Sequence, residues 1–193
     1  MIFESVKAHL QKFFAWASGE VDLPRRVAEA AKVWIEPQAF GPDAPGFQED
    51  DVQVLAKVDL ALQEHDGRFE IFDWKTGKAP EQAALSIRHN DLQVNIYQLW
   101  PYLQMNLPVE TISSRLVYFG GAEAVEQRFE LDEEAISITR GFVQDSIALA
   151  ERWRRDVEEG RMTLDDLDYA QSEWTCRQCA FKKICREQLH LLN

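Results

Sequence analysis

Asp59, Asp73 and Lys75 are the residues of this chain best suited to do chemistry together. They lie within KVDLALQEHDGRFEIFDWKTG, residues 57–77. Two neighbouring carboxylates suit a hard divalent cation such as Mg²⁺ or Mn²⁺, which takes oxygen ligands and keeps waters for substrate and nucleophile. A lysine beside them would orient or deprotonate an attacking water, or stabilise charge developing on a phosphate. An Asp-x-Lys pair alone is a weak signal, because ordinary surface hairpins carry such pairs too. Convergence of the three is what would make them a site.

That convergence depends on one turn. Alternating apolar residues from Val52 to Leu62 have the period of a half-buried strand, and Arg68 to Lys75 reads as a second. Between them, Gly67 of His65-Asp66-Gly67 is free to take the positive φ of a three-residue loop. With that loop Glu64 pairs with Arg68, Ala61 faces Ile71 and Asp59 faces Asp73. Lys75, two residues further, points to the same side. A two-residue Asp66-Gly67 turn would place Asp59 opposite Trp74 and scatter the group.

Two further patterns carry polar or soft ligands. Gln93 and Tyr97, four apart on a predicted helix, share one face, with Gln104 near the same stripe. Cys176-x2-Cys179-x5-Cys185 brings three thiolates within reach of one ion or cluster. Zinc and [4Fe–4S] sites both want four ligands, and His190 stands five residues beyond Cys185 as a possible fourth. Three reduced cysteines holding no metal are the competing reading.

Taken in order, Ala56-x-Val58-Asp59, Asp73-x-Lys75-Thr76-Gly77, Gln93-x3-Tyr97 and the three cysteines resemble the RecB-type branch of the PD-(D/E)XK nuclease superfamily. The likeness runs roughly from Trp34 to Cys185 and is similar to the iron–sulfur-bearing exonucleases of DNA repair and CRISPR adaptation. It implies Asp59 and Asp73 as ligands of Mg²⁺ or Mn²⁺, Lys75 as the catalytic lysine, and Gln93 and Tyr97 beside substrate or the metal's waters. A half-buried Gln93–Tyr97 pair satisfying each other's hydrogen bonds is an equal alternative. It also implies a strand glutamate near the metal, for which Glu36 is the candidate. A solvated Glu36 carboxylate is an equal alternative. The branch draws a fourth cluster cysteine from an N-terminal segment, yet no cysteine precedes Cys176 here, and only His9 could replace a histidine the branch often has. The sequence-based expectation is that this segment is missing.

Composition bounds these readings. The 193 residues, 46% hydrophobic, suit a single nuclease-like domain, with residues 170–193 a cysteine-bearing segment. The start MIFESVKAHLQ shows no basic region leading into an apolar one, and clustered cysteines suit a reducing compartment, so a cytoplasmic protein with no membrane partner is expected. A net charge of −12 opposes casual affinity for DNA, since phosphate contacts need Lys or Arg. A local basic groove, drawn from Lys57, Lys75, Lys78 and Arg88, can still coexist with an acidic exterior. The two function classes are therefore a metal-dependent nuclease acting on single-stranded DNA or duplex ends, and a non-catalytic nucleic-acid-binding or assembly subunit that keeps the scaffold. Either would work with a protein partner in a repair or defence complex.

The remaining elements must hold these groups. Residues 4–16 form an amphipathic helix, with Val6, Leu10, Phe13 and Phe14 on its apolar side. Asp22 starts a second helix, and Val33 to Phe40 is a strand that Pro37 confines to an edge or ends. Residues 41–51 read as a loop and Gln82 to Ile87 as helical. Asn90 or Asp91 caps a helix that Pro101 kinks or ends. A hairpin around Gly120-Gly121 precedes a long helix that Asp132 caps, running to about Glu159 and ended by Gly160. Ile136, Ile138, Phe142, Val143, Ile147, Leu149, Ala150 and Trp153 are expected on its buried side. Strands interleaved with helices give an α/β fold with a central mixed sheet flanked by helices, restriction-endonuclease-like by the resemblance.

Overall fold

The computed structural model of the chain describes residues 2–19, 21–35, 44–80, 89–163 and 166. Two compact units divide it, Met1–Ile147 and Ala148–Asn193.

The first unit is built on a five-stranded sheet. In chain order its elements are α1 (Ile2–Ala17), α2 (Leu23–Glu29), β1 (Lys32–Ile35), β2 (Gly46–Glu49), β3 (Val52–Leu55), β4 (Leu60–Gln63) and β5 (Phe69–Lys75). After these come α3 (His89–Met105), β6 (Ile112–Tyr118), β7 (Val125–Glu130) and α4 (Glu133–Glu158), whose residues from Ala148 onward belong to the second unit. The sheet order is β1-β4-β5-β6-β7, with β5 and β6 parallel and the other neighbours antiparallel. β2 and β3 pair separately.

The β4–β5 register is the one the three-residue loop predicts. Ala61 faces Ile71 and Gln63 faces Phe69. The Glu64 amide donates to the Arg68 carbonyl at 2.8 Å, and Gly67 closes the loop at φ 92°. Alternation then splits β5 between two cores. Phe72 and Trp74 pack with Leu60, Leu62 and the residues of α1 and α2, while Phe69 and Ile71 pack with Leu99 and Trp100 of α3. Phe69 and Phe72 are fully buried, which is worth roughly 1.5–3 kcal/mol each.

Several expectations need correction. The run from Val52 to Leu62 is two strands, because Val52–Leu55 pairs with Gly46–Glu49, which had read as loop. Phe47 gives that short strand its reason: its ring lies in the core beneath α3. Asp22 precedes α2 in a left-handed conformation and makes no side-chain cap bond; its carboxylate lies 3.6 Å from Arg25 instead. α3 begins at His89, ahead of both proposed caps, and continues through Pro101 to Met105. Proline in a helix interior costs about 3 kcal/mol. Here Leu99, Trp100 and Leu103 pack into the core on either side of it, and Trp100 meets Trp34 and Phe69 edge-on, which offsets that cost.

Asp132 caps α4 through the Ala135 amide at 2.7 Å, and Gly160 follows its end at φ 70°. Ile136 and Val143 are buried, but Ile138, Phe142, Leu149 and Trp153 are exposed, as are Val6, Leu10 and Phe14 of α1. Helical spacing shows that a stripe exists and not whether anything lies against it. In the second unit, Arg161 pairs with Asp156 and Glu159 just beyond α4. Among the described residues, no helix is long and apolar enough to cross a membrane.

Candidate active site

β5 ends with Asp73 and Lys75 on the face toward α3, because Trp74 between them points toward α1. Asp73 is buried, and its Oδ2 lies 2.6 Å from Lys75 Nζ. The pair is an ion pair by distance but lacks hydrogen-bond alignment, so among the described residues the buried Oδ2 has no aligned hydrogen-bond donor. Lys75 Nζ donates to Gln93 Oε1 at 2.9 Å, and Gln93 Nε2 donates to the Tyr97 hydroxyl at 2.7 Å. The i, i+4 spacing on α3 makes that relay possible.

Asp59 stands one residue before β4, where the ladder continued from Leu60–Phe72 sets it opposite Asp73. Its Oδ2 accepts the Trp74 amide at 2.7 Å. The peptide group between Asp73 and Lys75 thus holds the carboxylate across the hairpin. Tyr97 senses both acids. Burial foremost raises its hydroxyl pKa above the ordinary value, and the charges of Asp73 and Asp59 add to that against the Gln93 bond. The phenol stays protonated and able to donate.

Strand spacing pointed to Asp59, Asp73 and Lys75, and the family resemblance added Gln93 and Tyr97; the fold brings these five to one end of the sheet. Gln104, on the same helix, is exposed. Glu36, Arg88, Cys176, Cys179, Cys185 and His190 lie outside the described residues. The Trp74 amide had no sequence signal beyond the register itself. A pocket of about 1450 Å³ lies elsewhere, lined by α2, the hairpin tip and the α1-side face of β6 and β7. None of the five residues lines it, and we place the site by its chemistry.

Among the described residues, no group of three or more His, Cys, Asp and Glu side chains is arranged to hold a metal ion. Two carboxylates, one with a buried oxygen lacking an aligned donor, nevertheless fit a cation that takes most of its ligands from water and phosphate.

The sequence profile of the PD-(D/E)XK nuclease superfamily matches residues 5–186. The chain belongs to this superfamily. Its mixed five-stranded sheet flanked by helices is the restriction-endonuclease-like fold of such nucleases, which use divalent metals generally. No curated protein matches the chain. Among solved structures, the crystal structure of SSO0001 is similar, at 16% identity and a TM-score of 0.45. The match covers 92% of this chain and 66% of that one.

Proposed function

We propose that this PD-(D/E)XK chain hydrolyses phosphodiester bonds in DNA with Mg²⁺ or Mn²⁺, as an exonuclease acting on single-stranded or duplex ends in repair, recombination or defence. The observation that carries this reading is Lys75 Nζ, poised between Asp73 Oδ2 and Gln93 Oε1 on the face where Asp59 sits opposite.

Asp59 and Asp73 would hold the cation, which when bound supplies charge compensation for the phosphate and acidifies a water. The other steps belong to the protein. The Trp74 amide fixes one oxygen of Asp59, so that carboxylate is oriented before any ligand arrives. Gln93 accepts one of the three N–H donors of Lys75, leaving the ammonium able to donate to an attacking water or a phosphoryl oxygen. Tyr97 sets the Gln93 amide by accepting from its nitrogen, so Oε1 must point at Lys75. Held this way, the amine needs little rearrangement as charge develops on phosphate. Digestion of end-labelled single- and double-stranded DNA with Mg²⁺ or Mn²⁺ tests the reading. Wild type should digest and Lys75→Ala should not; equal rates would overturn it.

Cys176, Cys179 and Cys185 belong to the same proposal as a second metal site. Three thiolates would leave one iron of a cubane open to solvent and oxidant, whereas zinc tolerates His190 as a fourth ligand. Protein purified in air should therefore hold zinc or no metal at these cysteines. About four irons per chain with a broad band near 400 nm, typical in order of magnitude of thiolate-ligated clusters, would contradict this.

A further inference from the structure

The strand that carries Asp73 and Lys75 continues past its last residue in an unusual embrace. Phe119 donates its amide to the Lys75 carbonyl at 2.8 Å, and Gly120 donates to the Gly77 carbonyl at 2.9 Å. Backbone bonding between the two chain segments thus goes on past both strands to Gly77, leaving the ladder's register at Gly120.

Only glycine fits at position 120. A Cβ there would come within 2.6 Å of both the Gly77 oxygen and the Lys78 nitrogen, and nearer still to the Gly77 carbonyl carbon. All three are backbone atoms, which cannot swing aside as a side chain could. Gly120 is not among the glycines with positive φ, so the demand is for space and not for an unusual backbone. The missing side chain lets the peptide after the lysine lie directly on the loop after β6.

That loop is held in turn from α1. Lys12 Nζ donates to the Phe119 carbonyl at 3.0 Å and to the Gly121 carbonyl, the two residues flanking Gly120. Phe13, the next residue of α1, packs edge-on against Trp74 at 5.3 Å and Phe119 at 5.9 Å. One helix therefore supports both the back of the Asp73-Trp74-Lys75 segment and the loop clasping its end.

We infer that Gly120 and Lys12 are positioning residues for the proposed hydrolysis: they fix where Lys75 leaves the sheet, and so where its amine stands between Asp73 and Gln93. The inference rests on the nuclease reading of that site. Neither residue touches the reacting groups; both act through the backbone of residues 75 to 78. A misplacement of about 1 Å far from the chemistry can cost on the order of a hundredfold in rate. That is the size of the loss expected in kcat for Gly120→Ala, with KM within about threefold. Lys12→Met, which keeps the stem and removes the donors, should lower kcat about tenfold. Lys12→Arg should recover most of that loss, because a guanidinium can also donate to two carbonyls.

The experiment compares kcat and KM on end-labelled DNA with Mn²⁺, at a temperature where each variant is folded by circular dichroism. Glu70→Gln, remote from this loop, controls for lost stability and should keep wild-type kcat. Wild-type kcat in folded Gly120→Ala overturns the inference. If Gly120→Ala does not fold, Lys12→Met decides, and wild-type kcat in it is equally fatal. Equal losses in Lys12→Met and Lys12→Arg would also overturn it. Loss in Lys75→Ala with none in either brace variant breaks this inference and leaves the nuclease reading standing. No digestion by the wild type sinks both.

Discussion

Strand β5 carries two buried carboxylates three residues apart, and the fold treats them in opposite ways. Glu70 faces α2, where Arg26 and Arg115 each approach it at 2.6 Å. Both guanidinium groups also lie over the Phe72 ring, at 5.6 and 5.9 Å. Arg26 reaches on to Glu64 and Arg115 to Glu126, so every charge in that chain has a partner. Asp73, on the other face, is ion-paired with Lys75 at 2.6 Å, and among the described residues no donor is aligned in a hydrogen bond to its buried Oδ2. Buried polar groups are as a rule satisfied, and the exceptions ask for an explanation. The Glu70 face closes on itself and is there to hold the fold. Among the described residues the Asp73 carboxylate is less fully bonded than that of Glu70, which is what the proposed cation site would require.

The largest expected effect tests that division directly. Asp73→Ala should abolish metal-dependent digestion, a loss on the order of a thousandfold or more if the carboxylate holds the cation. Its melting temperature should match or exceed the wild-type value, because two neighbouring carboxylates repel when no metal is present. Activity and calorimetry on one preparation check both halves. Digestion at the wild-type rate would mean another site or a contaminating nuclease. A large fall in stability would make Asp73 a structural residue like Glu70.

Glu70→Gln should show the reverse pattern. Removing one partner of a buried pair usually costs about 3–5 kcal/mol. Arg26 and Arg115 remain about one-fifth exposed, so the low end, about 3 kcal/mol, is expected in urea unfolding. Turnover of the folded fraction should be unchanged. A stable but inactive Glu70→Gln protein would erase the distinction between the two faces.

Acid titration sharpens the same contrast. Burial alone would raise the Glu70 pKa, but the hydrogen bond and charge of Arg115, with those of Arg26, hold it below the ordinary carboxylate range. Unfolding would return the group to its ordinary value, so the unfolded chain binds the proton more readily. The stability due to Glu70 is therefore full above the ordinary carboxylate range and is lost as pH falls through it toward the lower folded value. Midpoints of urea unfolding measured from pH 6 down to about 3 should fall more steeply for wild type than for Glu70→Gln. Parallel curves would show that the arginines do not favour the charged form.

Sequence reading captured one face of β5 far better than the other. Asp59, Asp73 and Lys75 were legible because strand parity and one loop length determine which side chains meet, and both are local. Helical spacing put Gln93 and Tyr97 on one face, and only the family resemblance tied that face to the acidic pair. The Arg26–Glu70–Arg115 network was not legible, since its members stand 44 and 45 residues apart and no local pattern joins them. Pro101 does not end the helix, one of its two expected effects, for a related reason: its local penalty was plain, but the packing of Trp100 against Trp34 and Phe69 was not. The clasp at Gly120 had only the glycine pair to announce it, which reads equally well as a plain turn.

The smallest expected effect lies at the outer end of the Glu70 network. Arg68 approaches Glu64 at 2.6 Å, as close as either arginine comes to Glu70, and Asp66 at 2.8 Å. Short contacts alone would predict a comparable contribution. Arg68 is, however, 68% exposed, so water screens the attraction and the long side chain loses freedom on being held. Exposed pairs are worth about 0–1 kcal/mol, and Arg68→Ala should cost no more than about 0.5 kcal/mol. The Asp66 carboxylate would keep the bond from the backbone amide of residue 68, which does not depend on the side chain. Urea unfolding of Arg68→Ala beside Arg26→Met separates distance from burial, since both remove a partner of Glu64. Equal losses would mean that the charged face of β5 gains its stability from contact distances, and that its sealing from water is incidental.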